Sequence, residues 1–599
     1  MVVPRPNAND ASGWLDAFSS ALASGEIERA TSLFGDECFW RDLVAFTWNV
    51  KTMEGRDKIA AMLHAQLAAA NPTIWRVDGE PTQSNGMTET WITFETKVAR
   101  GRGILRLKDG RAWTSLTAIE ELKGFEERKG RSRPTGVTHG VYRRDKTSLD
   151  AKRVEEEALG NEKQPYCVVV GGGQGGIALV ARLKQLDVPT IILEKNARAG
   201  DSWRNRYRSL VLHGPVWYDH LPYIPFPENW PVFAPKDKIG DWLEMYAKVI
   251  ELNYWASSEC VHAEYDEAKS EWSVDVVRYG ARTRLRPKQL VFATGAYGPP
   301  NAIPLPGVET FQGWCCHSSS YKTGEPYAGK SCIVVGSNSS AHDIAADLWD
   351  SGAEVTMLQR SPTTVVRSET LMELGFEPLY SESALRDGVT TDRADLIFAG
   401  TPFRIMHRGQ IPIYEEIRRR DAPFYARLAK SGSEIDFGDD VSGLMMKALR
   451  TGSGYYIDVG ASDLIARGDI AIRSGVEIRC VRERSVELTD GSGLPADLIV
   501  MATGFQSMNR ALAPIISEEV ADRVGKCWGL GSGVRGDPGP WEGEPRNMWK
   551  PTQQPGLWFH GGNLALSRHY SLVLALQIKA RLEGLPTPVY GLQPAHHRS

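Results

Sequence analysis

The 599-residue chain lacks the features that mark several protein classes. It has no Cys-x-x-Cys pair and no Cys/His spacing typical of a metal site, which argues against a zinc module and a redox-active cysteine pair. No eighteen apolar residues run together, and the N-terminus has no charged start followed by an apolar core, so we expect neither a membrane span nor a secretory signal. The net charge of -4 gives no electrostatic case for a nucleic acid or an anionic membrane as a partner.

These absences favour a cytoplasmic, soluble protein. With 42% hydrophobic and 24% charged residues, the composition is that of an ordinary globular chain, and its length predicts about three or four domains. The eight cysteines are irregularly spaced, as expected of reduced structural thiols. Because no Ser/His/Asp or Cys/His arrangement has a supporting context, we expect neither a side-chain nucleophile nor a bound metal.

The strongest positive signal is a strand, a glycine turn, a helix and a second strand between Tyr166 and Glu194. The apolar run Cys167–Val170 leads directly into Gly-Gly-Gly-Gln-Gly-Gly, and helical spacing follows. In a dinucleotide-binding βαβ unit, one glycine allows the tight turn, one lets the backbone approach a pyrophosphate, and one lets helix and strand pack closely, while the terminal acid binds ribose. The residues predicted for these four roles are, in that order, Gly171, Gly173, Gly176 and Glu194.

A second, degenerate βαβ unit begins at Lys330. Its turn has Gly336, Asn338 and Ala341 at the three glycine positions, and Ser339 opens its helix. Alanine is acceptable at the third position, whereas asparagine at the second tolerates the left-handed conformation but adds a side chain near the phosphates. This unit predicts a second nucleotide site.

The strand that follows the second turn ends in Gln359, Arg360 and Ser361, where the first unit has an acid. A guanidinium cannot accept hydrogen bonds from ribose hydroxyls, but it forms paired charge-assisted bonds to a 2′-phosphate. Arg360 and Ser361 therefore predict NADPH as the ligand in preference to NADH, with Arg367 as an additional contact.

Two further strands end in Ala-Thr-Gly, one at Ala293, Thr294 and Gly295 and the other reaching Thr503 and Gly504. Two βαβ units with two such strands predict an α/β fold in which the second Rossmann-like domain is inserted into the first. We expect the first domain at 165–325 and 490–599 and the second at 326–489. Thr503 and Gly504 would then bind NADPH or close the two domains on each other.

The first 123 residues have a helical start followed by several strands, and a charged linker at 124–164 joins them to the rest. This order resembles the cone-shaped, α+β nuclear transport factor 2-like (SnoaL-like) fold. Trp40, Asp42, Trp48 and His64 could line a pocket with acid/base chemistry, but packing is the favoured interpretation of these side chains. Shielding of the main site or homo-oligomer formation is the favoured role of the domain.

Between the two nucleotide units, Phe311–Tyr321 matches FxGxxxHxxxY. With the two turns, and with loops Ser202–Tyr207 and Leu212–Pro215, the region 165–585 resembles class B flavoprotein monooxygenases of the flavin-containing and YUCCA-like branch. The resemblance implies FAD in the first unit and NADPH in the second. It implies that NADPH reduces FAD, that dioxygen adds at flavin C4a, and that the (hydro)peroxide oxygenates a small organic substrate. In the family, His317 links the nucleotide domains.

Loops and a helix start supply the remaining predicted site residues. A helix is predicted from about Ser567 to Leu582, and its N-terminus would stabilise negative charge on the reduced flavin. Gly561, Gly562 and Asn563, just before it, would allow close approach of the backbone. The predicted FAD contacts are Ser202, Trp203, Ala293, Thr294, Gly295, Gly562 and Asn563. The candidate catalytic residues are His317, Tyr207 and His213, with Trp217 and Tyr218 as further candidates for the flavin or substrate face.

The substrate class stays open at this point. Baeyer-Villiger relatives have Trp followed by Pro or Asp where this chain has Tyr321-Lys322, so sulfur, nitrogen or 2-oxo-acid oxidation is favoured over ketone oxidation. A pyridine nucleotide-disulfide reductase would share the nested architecture, but Cys315-Cys316 has the wrong spacing for its cysteine pair. A ligand-binding or redox-regulatory flavoprotein is the alternative of another class, supported by Asn338 alone.

Overall fold

The computed structural model describes residues 11–136, 154–295 and 298–595. An N-terminal α+β unit packs three helices against one six-stranded sheet. Its helices are Ala11–Ser24, Ile27–Ser32 and Arg56–Ala70. Its strands, in spatial order, are Val50–Glu54, Phe34–Leu43, Arg111–Leu122, Ala99–Lys108, Met87–Glu95 and Thr73–Ser84.

A tight turn at 44–49 separates strand Phe34–Leu43 from strand Val50–Glu54. The carboxylate of Asp42 accepts hydrogen bonds from the backbone N–H groups of Phe46 and Thr47 and from the Thr47 hydroxyl, at 2.7–3.2 Å. Val44 and Trp48 adopt positive φ angles of 73° and 47°. Because this buried acid folds the backbone back on itself, a separate strand begins at 50.

Aromatic side chains fill the interior of the N-terminal unit, as the favoured packing interpretation predicts. Trp40 is fully buried, its ring centroid lies 5.0 Å from that of Phe46, and its indole N–H donates to Thr117 at 2.8 Å. Asp42 is fully buried in the turn described above, whereas the His64 side chain is 60% exposed. Trp48 is also buried, so these side chains pack and do not form an acid/base pair.

A five-stranded parallel sheet, called the first parallel sheet, forms the centre of the next unit. Its central strands are apolar and fully buried because helices cover parallel sheets on both faces. In spatial order its strands are Leu557–Phe559, Gln289–Phe292, Cys167–Val170, Thr190–Leu193 and Tyr254–Trp255. Its main helices are Gln174–Gln185, Lys236–Val249 and Leu564–Leu582, with a short helix at Asp201–Arg204.

The second parallel sheet also has five strands and interrupts the first along the chain. The expected nested α/β fold is thus confirmed. The expected boundaries at 326 and 489 do not coincide with the sheets, because 314–317 and 498–501 both pair in the second sheet. In spatial order its strands are Trp314–His317, Leu498–Met501, Ser331–Val335, Glu354–Gln359 and Ala471–Ser474.

Smaller sheets and helices complete the two parallel-sheet units. One antiparallel ribbon consists of Ser258–Asp266, Glu271–Arg278 and Ala281–Leu285, and a second of Ile478–Val481, Ser485–Leu488 and Gly493–Pro495. Thr364–Arg367 pairs with Tyr455–Asp458. The remaining α-helices are Ser339–Asp350, Ser368–Leu371, Glu382–Arg386, Thr391–Ala399, Phe403–Arg420, Ala422–Lys430, Gly443–Thr451, Ala461–Arg467 and Glu518–Val524. No helix within the described residues is long and apolar enough to cross a membrane.

Candidate cofactor and oxygenation site

The first glycine turn leaves open space only at its phosphate-facing position. Gly171 has φ 108°, and a Cβ there would overlap the carbonyl oxygen of Ala293 on the neighbouring strand. A Cβ on Gly176 would overlap the Gly171 carbonyl oxygen, so helix and strand are in direct contact. At Gly173, by contrast, the nearest atom to an added Cβ is Ser202 Oγ at 3.6 Å. The turn therefore has room for a pyrophosphate at the start of the helix.

Glu194 is buried at the end of the adjacent strand and holds the turn in place. Its Oε2 accepts from the backbone N–H of Gly172 at 2.8 Å, and its Oε1 accepts from the backbone and side-chain N–H groups of Asn196 at 2.8 and 2.6 Å. Tyr254 donates to the Gly172 carbonyl at 2.9 Å. A carboxylate has about four acceptor positions, so about one remains for a ribose hydroxyl. The residues fit a dinucleotide, with Glu194 more strongly committed to the backbone than the sequence suggested.

A cavity of about 830 Å³ lies beside the outermost strand of the first parallel sheet, between helix Lys236–Val249 and the linker. It extends from the segment that follows Glu194 to the outermost strand and to the linker. Part of its wall is formed by Ala197, Arg198, Ala199, Tyr254, Trp255 and Ala256.

The C-terminal segment returns to the first glycine turn. Gln174, at the start of the first helix, donates to the Gly562 carbonyl at 3.2 Å and accepts from the Trp203 indole N–H at 3.1 Å. Asn563 caps the helix Leu564–Leu582 by accepting from the Leu566 N–H at 2.9 Å. The predicted contacts Trp203, Gly562 and Asn563 therefore lie together, and Thr294 and Gly295 continue the strand beside them.

An aromatic wall adjoins this helix start. The side-chain amide of Asn563 donates to the Tyr218 hydroxyl at 3.0 Å. The Tyr218 ring lies 4.8 Å from that of Tyr380 and 5.2 Å from that of Phe376. Trp217 points elsewhere, with its indole N–H donating to Glu382 at 3.2 Å. Of the predicted pair, Tyr218 belongs to the site and Trp217 to its periphery.

A buried ion pair fixes the aromatic wall from behind. The guanidinium of Arg568 donates twice to Asp395, both at 2.9 Å, and donates to the carbonyls of Tyr218 and His220 at 2.7 Å. Tyr380 donates to the same Asp395 carboxylate at 3.0 Å. One guanidinium thus positions both tyrosines.

Tyr207 and His213 both contact the carboxylate of Asp343. Tyr207 is buried and its hydroxyl donates to Asp343 at 2.6 Å. His213 Nε2 lies 3.5 Å from the other oxygen of Asp343, which belongs to the helix Ser339–Asp350 of the second unit. Burial and this carboxylate raise the pKa of Tyr207 well above its usual range. The Tyr207 hydroxyl is therefore committed to a contact between the units, and its catalytic role stays a prediction.

Asp219 is a buried acid that the sequence did not indicate. Its carboxylate lies against Gly214, where an added Cβ would overlap it, and no hydrogen bond reaches it from the described residues. Burial raises the pKa of Asp219 to about 7, although Arg568 and His213 oppose the rise. The carboxyl group is thus a proton-accepting position beside the aromatic wall.

The second glycine turn has the same backbone form as the first. Gly336 has φ 123°, and an added Cβ would lie 2.5 Å from the Ala502 carbonyl oxygen. Asn338 precedes the helix in an extended conformation with φ -94°, so the left-handed geometry that its side chain tolerates is not used. The Ser339 hydroxyl donates to the Tyr455 carbonyl at 3.1 Å. Asn338 and Ser339 are both partly exposed at the start of helix Ser339–Asp350, where phosphates are expected.

Arg360 is exposed at the end of the strand, and no hydrogen bond or ion pair holds it within the described residues. Its neighbour Gln359 is buried and fully engaged, with the Glu434 backbone among its partners at 2.8 Å. Arg367 lies 3.7 Å from each of two carboxylates, so it is a weaker candidate for a phosphate. Arg360, followed by the partly exposed Ser361, fits a 2′-phosphate.

His317 ends one strand of the second parallel sheet and is hydrogen-bonded to the segment that follows the neighbouring strand. Its Nε2 donates to the Gly504 carbonyl at 2.9 Å, and its Nδ1 accepts from the Ser319 N–H at 3.2 Å. A carbonyl only accepts and an N–H only donates, so the ring is the neutral Nε2–H tautomer. Desolvation lowers its pKa, which keeps it neutral. Thr503 donates to the Asn301 carbonyl at 2.8 Å, so Thr503 and Gly504 join the two segments that connect the parallel sheets, in a closure role.

The residues that the sequence did not indicate are Asp219, Asp343, Asp395, Tyr380 and Arg568. Asp219 lies on a loop, Asp395 and Tyr380 lie in segments without a recognisable motif, and Asp343 lies on the helix of the second βαβ unit. Arg568 had a usable signal, since a charged side chain near the start of an apolar, buried helix requires a buried partner.

Comparison with known proteins agrees with this geometry. The family profile described as pyridine nucleotide-disulphide oxidoreductase matches residues 267–409. The chain is 30% identical over 345 residues to indole-3-pyruvate monooxygenase YUCCA1 of Oryza sativa subsp. japonica, an alignment that covers 57% of this chain and 77% of that protein. The chain belongs to the flavin monooxygenase family. This flavin monooxygenase is an FAD- and NADPH-dependent oxidoreductase that acts on a small molecule with dioxygen.

Two further relatives extend the comparison. The probable indole-3-pyruvate monooxygenase YUCCA10 of Arabidopsis thaliana is 29% identical over 344 residues, covering 57% of the flavin monooxygenase and 81% of the relative. Among solved structures, flavin-containing monooxygenase from Stenotrophomonas maltophilia is 17% identical with a TM-score of 0.46, covering 70% of this chain and 99% of that one.

Proposed function

We propose that this flavin monooxygenase oxygenates an aromatic 2-oxo acid. The observation that carries the proposal is the wall formed by Tyr218, Phe376 and Tyr380 beside the capped helix at Asn563. Aromatic rings pack favourably against a flat aryl group. The named relatives at 29–30% identity are indole-3-pyruvate monooxygenases, whose substrate has an aryl group next to a 2-oxo acid.

The proposed reaction consumes one equivalent each of the 2-oxo acid, dioxygen, NADPH and a proton. It yields the carboxylic acid shortened by one carbon, carbon dioxide, water and NADP⁺. Two of the electrons that reduce dioxygen come from NADPH and two come from the carbon–carbon bond that breaks. Bound FAD supplies the oxygen-activating chemistry, so the chain needs no side-chain nucleophile.

In this proposal the first unit holds FAD and the second holds NADPH. The turn at Gly173 and the carboxylate of Glu194 bind the adenosine diphosphate portion of FAD. The N-terminus of helix Leu564–Leu582 would stabilise negative charge on the flavin ring of FAD. Because the helix dipole is fixed in the fold, this stabilisation needs no rearrangement during the reaction. The Asn563–Tyr218 hydrogen bond orients the wall and helps exclude water from the ring.

A substrate panel tests the proposal. Purified enzyme is mixed with NADPH and, separately, indole-3-pyruvate, phenylpyruvate, an aryl methyl sulfide, a tertiary amine and cyclohexanone. We expect the arylpyruvates to stimulate NADPH consumption and to yield arylacetate and carbon dioxide in equal amounts. A sulfoxide, an N-oxide or a lactone as the main product would contradict the assignment, and no product from any compound would favour a ligand-binding or redox-regulatory role.

Disulfide reduction is disfavoured by the cysteines themselves. Cys315 and Cys316 are consecutive on one strand, so their side chains point to opposite faces. Burial raises the pKa of Cys316 to about 12 and also raises that of Cys315, which keeps both as unreactive thiols. Thiol–disulfide exchange requires a thiolate, and neither cysteine supplies one at neutral pH.

Two proposals concern the N-terminal unit. Its three helices and curved sheet support assignment to the nuclear transport factor 2-like fold, and its exposed face is the proposed contact in a homo-oligomer. Sedimentation velocity at two protein concentrations tests the second proposal, and a monomer at both would contradict it.

A further inference from the structure

Arg41 of the N-terminal unit is buried among residues of the monooxygenase unit. Its guanidinium donates to both oxygens of Glu544 at 2.7 Å and to the Tyr570 hydroxyl at 2.9 Å. Its remaining terminal nitrogen donates to the Ala399 carbonyl at 2.7 Å. One side chain thus contacts the end of helix Thr391–Ala399 and the second turn of helix Leu564–Leu582.

Other contacts from the N-terminal unit converge on helix Thr391–Ala399. Arg106 donates to the Gly400 carbonyl at 2.6 Å. The Arg393 guanidinium lies 4.8 Å from the centroid of the Trp91 ring. A helix C-terminus carries partial negative charge and leaves carbonyl groups without intrahelical partners. Two guanidinium groups of the N-terminal unit satisfy both requirements here, so they stabilise the C-terminal end of this helix.

The same two helices carry the ion pair behind the aromatic wall. Asp395 lies on Thr391–Ala399, and Arg568 lies on Leu564–Leu582 two residues before Tyr570. Both members of the pair are at most 6% exposed. A bidentate pair requires a fixed separation and orientation of the two helices. Arg41 contacts both helices and is the group that sets this separation from the N-terminal side.

We propose that Arg41 is a positioning residue for the oxygenation site, and that the N-terminal unit acts on the reaction by holding these two helices in register. The inference rests on the proposed function only for the identity of the wall as the substrate site. It assigns the N-terminal unit a mechanical role that needs no ligand in its interior, which aromatic side chains fill.

The physical consequence of loosening the helices follows from the hydrogen bonds of Arg568. When Asp395 moves, Arg568 loses its bidentate partner, and the carbonyls of Tyr218 and His220 lose a fixed donor. The wall then samples more conformations and admits water. A wet oxygenation site releases hydrogen peroxide, so NADPH is consumed without substrate oxidation.

Full-length holoenzyme with Arg41→Lys tests the proposal. Lysine keeps the charge but cannot make the paired and bridging contacts of a guanidinium. The matched control is Arg408→Ala, which removes a different ion pair between the units, Arg408–Glu37. Both side chains of this pair are about half exposed. Hydrogen exchange is followed by mass spectrometry, together with bound FAD, the NADPH-dependent bleaching rate and the fraction of electrons released as hydrogen peroxide.

We expect Arg41→Lys to speed exchange of peptides covering 391–400 and 216–220 roughly tenfold, as for loss of a charge-assisted hydrogen bond. FAD content, bleaching rate and exchange at 167–193 stay unchanged, while peroxide release and the KM for the arylpyruvate rise. The control changes none of these. Unchanged exchange at 391–400, or equal effects of both substitutions, would overturn the proposal.

A second variant keeps the test decisive if Arg41→Lys does not fold. Arg106→Met removes the other carbonyl contact, and we expect faster exchange at 391–400 with a smaller rise in peroxide release. No change at 391–400 would again count against the proposal. If NADPH does not bleach the flavin absorbance of the wild-type enzyme, the proposed function fails. The hydrogen-exchange measurements still decide whether Arg41 positions the two helices.

Discussion

At the scale of single residues, cofactor choice depends on which side chain ends each parallel strand. Glu194 ends its strand buried and bonded to the glycine turn, whereas Arg360 ends its strand exposed. The same position along the strand therefore carries a hydrogen-bond acceptor side chain in one unit and a donor side chain in the other.

Arg360→Ala tests the assignment of the 2′-phosphate. We expect the KM for NADPH to rise roughly tenfold to a hundredfold, which corresponds to loss of a charge-assisted hydrogen bond of about 1.5–3 kcal/mol, with little change for NADH. Steady-state kinetics with both nucleotides measures this difference. Arg367→Ala is the control, because its guanidinium already lies near Glu369 and Asp421. Equal effects of Arg360→Ala on NADPH and NADH would remove it from the site.

Asp219 predicts a pH dependence of stability. Its pKa is about 7 when folded and about 3.9 when unfolded, so the folded state holds an extra proton between these values. Stability therefore falls as pH rises from about 4 to 7. We expect Asp219→Asn to stabilise the protein by about 2–4 kcal/mol more at pH 8 than at pH 4, as judged by urea unfolding.

The control for this prediction is Asp16→Asn, which changes an exposed carboxylate on the first helix. It should leave the difference in stability between the two pH values as it is in the wild type. A constant effect of Asp219→Asn at both pH values would show that the buried carboxyl does not bind the extra proton.

At the scale of elements, one helix start serves stability and chemistry together. Asn563 caps Leu564–Leu582 through its side-chain oxygen and holds Tyr218 through its side-chain nitrogen. Its two functions can be separated, because serine caps a helix but cannot donate an amide hydrogen across to the wall.

We predict that Asn563→Ala lowers the free energy of unfolding by about 1 kcal/mol and raises hydrogen peroxide release. Asn563→Ser should retain most of the stability but show the same rise in peroxide. Ser517→Ala, which removes the cap from helix Glu518–Val524, is the matched control and should affect stability alone. If hydrogen peroxide release stays at the wild-type level in both Asn563 variants, the Asn563–Tyr218 hydrogen bond does not help to exclude water.

At the scale of the whole molecule, the N-terminal unit is joined to the monooxygenase unit by buried hydrogen bonds and ion pairs as well as by the linker. Its contacts include a fully buried ion pair, Arg41–Glu544, in which neither partner reaches solvent. Removing one member of a buried pair leaves an uncompensated charge and typically costs about 3–5 kcal/mol.

A chain that begins at residue 154 should therefore be unstable and lose FAD, as measured by thermal unfolding and flavin absorbance. The same truncation with Glu544→Gln should recover part of the stability, because the buried position is then neutral. A truncated protein that retains FAD and full turnover without this substitution would show that the N-terminal unit has no role in the reaction.

Much of the fold and part of the site were predictable from local sequence. Hydrophobic period and glycine spacing located both nucleotide turns, since a tight turn next to a buried strand leaves few alternatives to glycine. The boundaries of the two units were not predictable, because the sequence of a strand such as Leu498–Met501 does not show which of the two sheets it joins.

The sequence by itself determined the two glycine turns, the acid at Glu194 and the arginine at Arg360, because each depends on neighbours a few residues away. Only the tertiary structure decided that Tyr207 contacts Asp343, that Arg568 holds Asp395 and that Arg41 contacts both helices. These pairs join residues more than a hundred positions apart, and buried charges select their partners by geometry that no local pattern records.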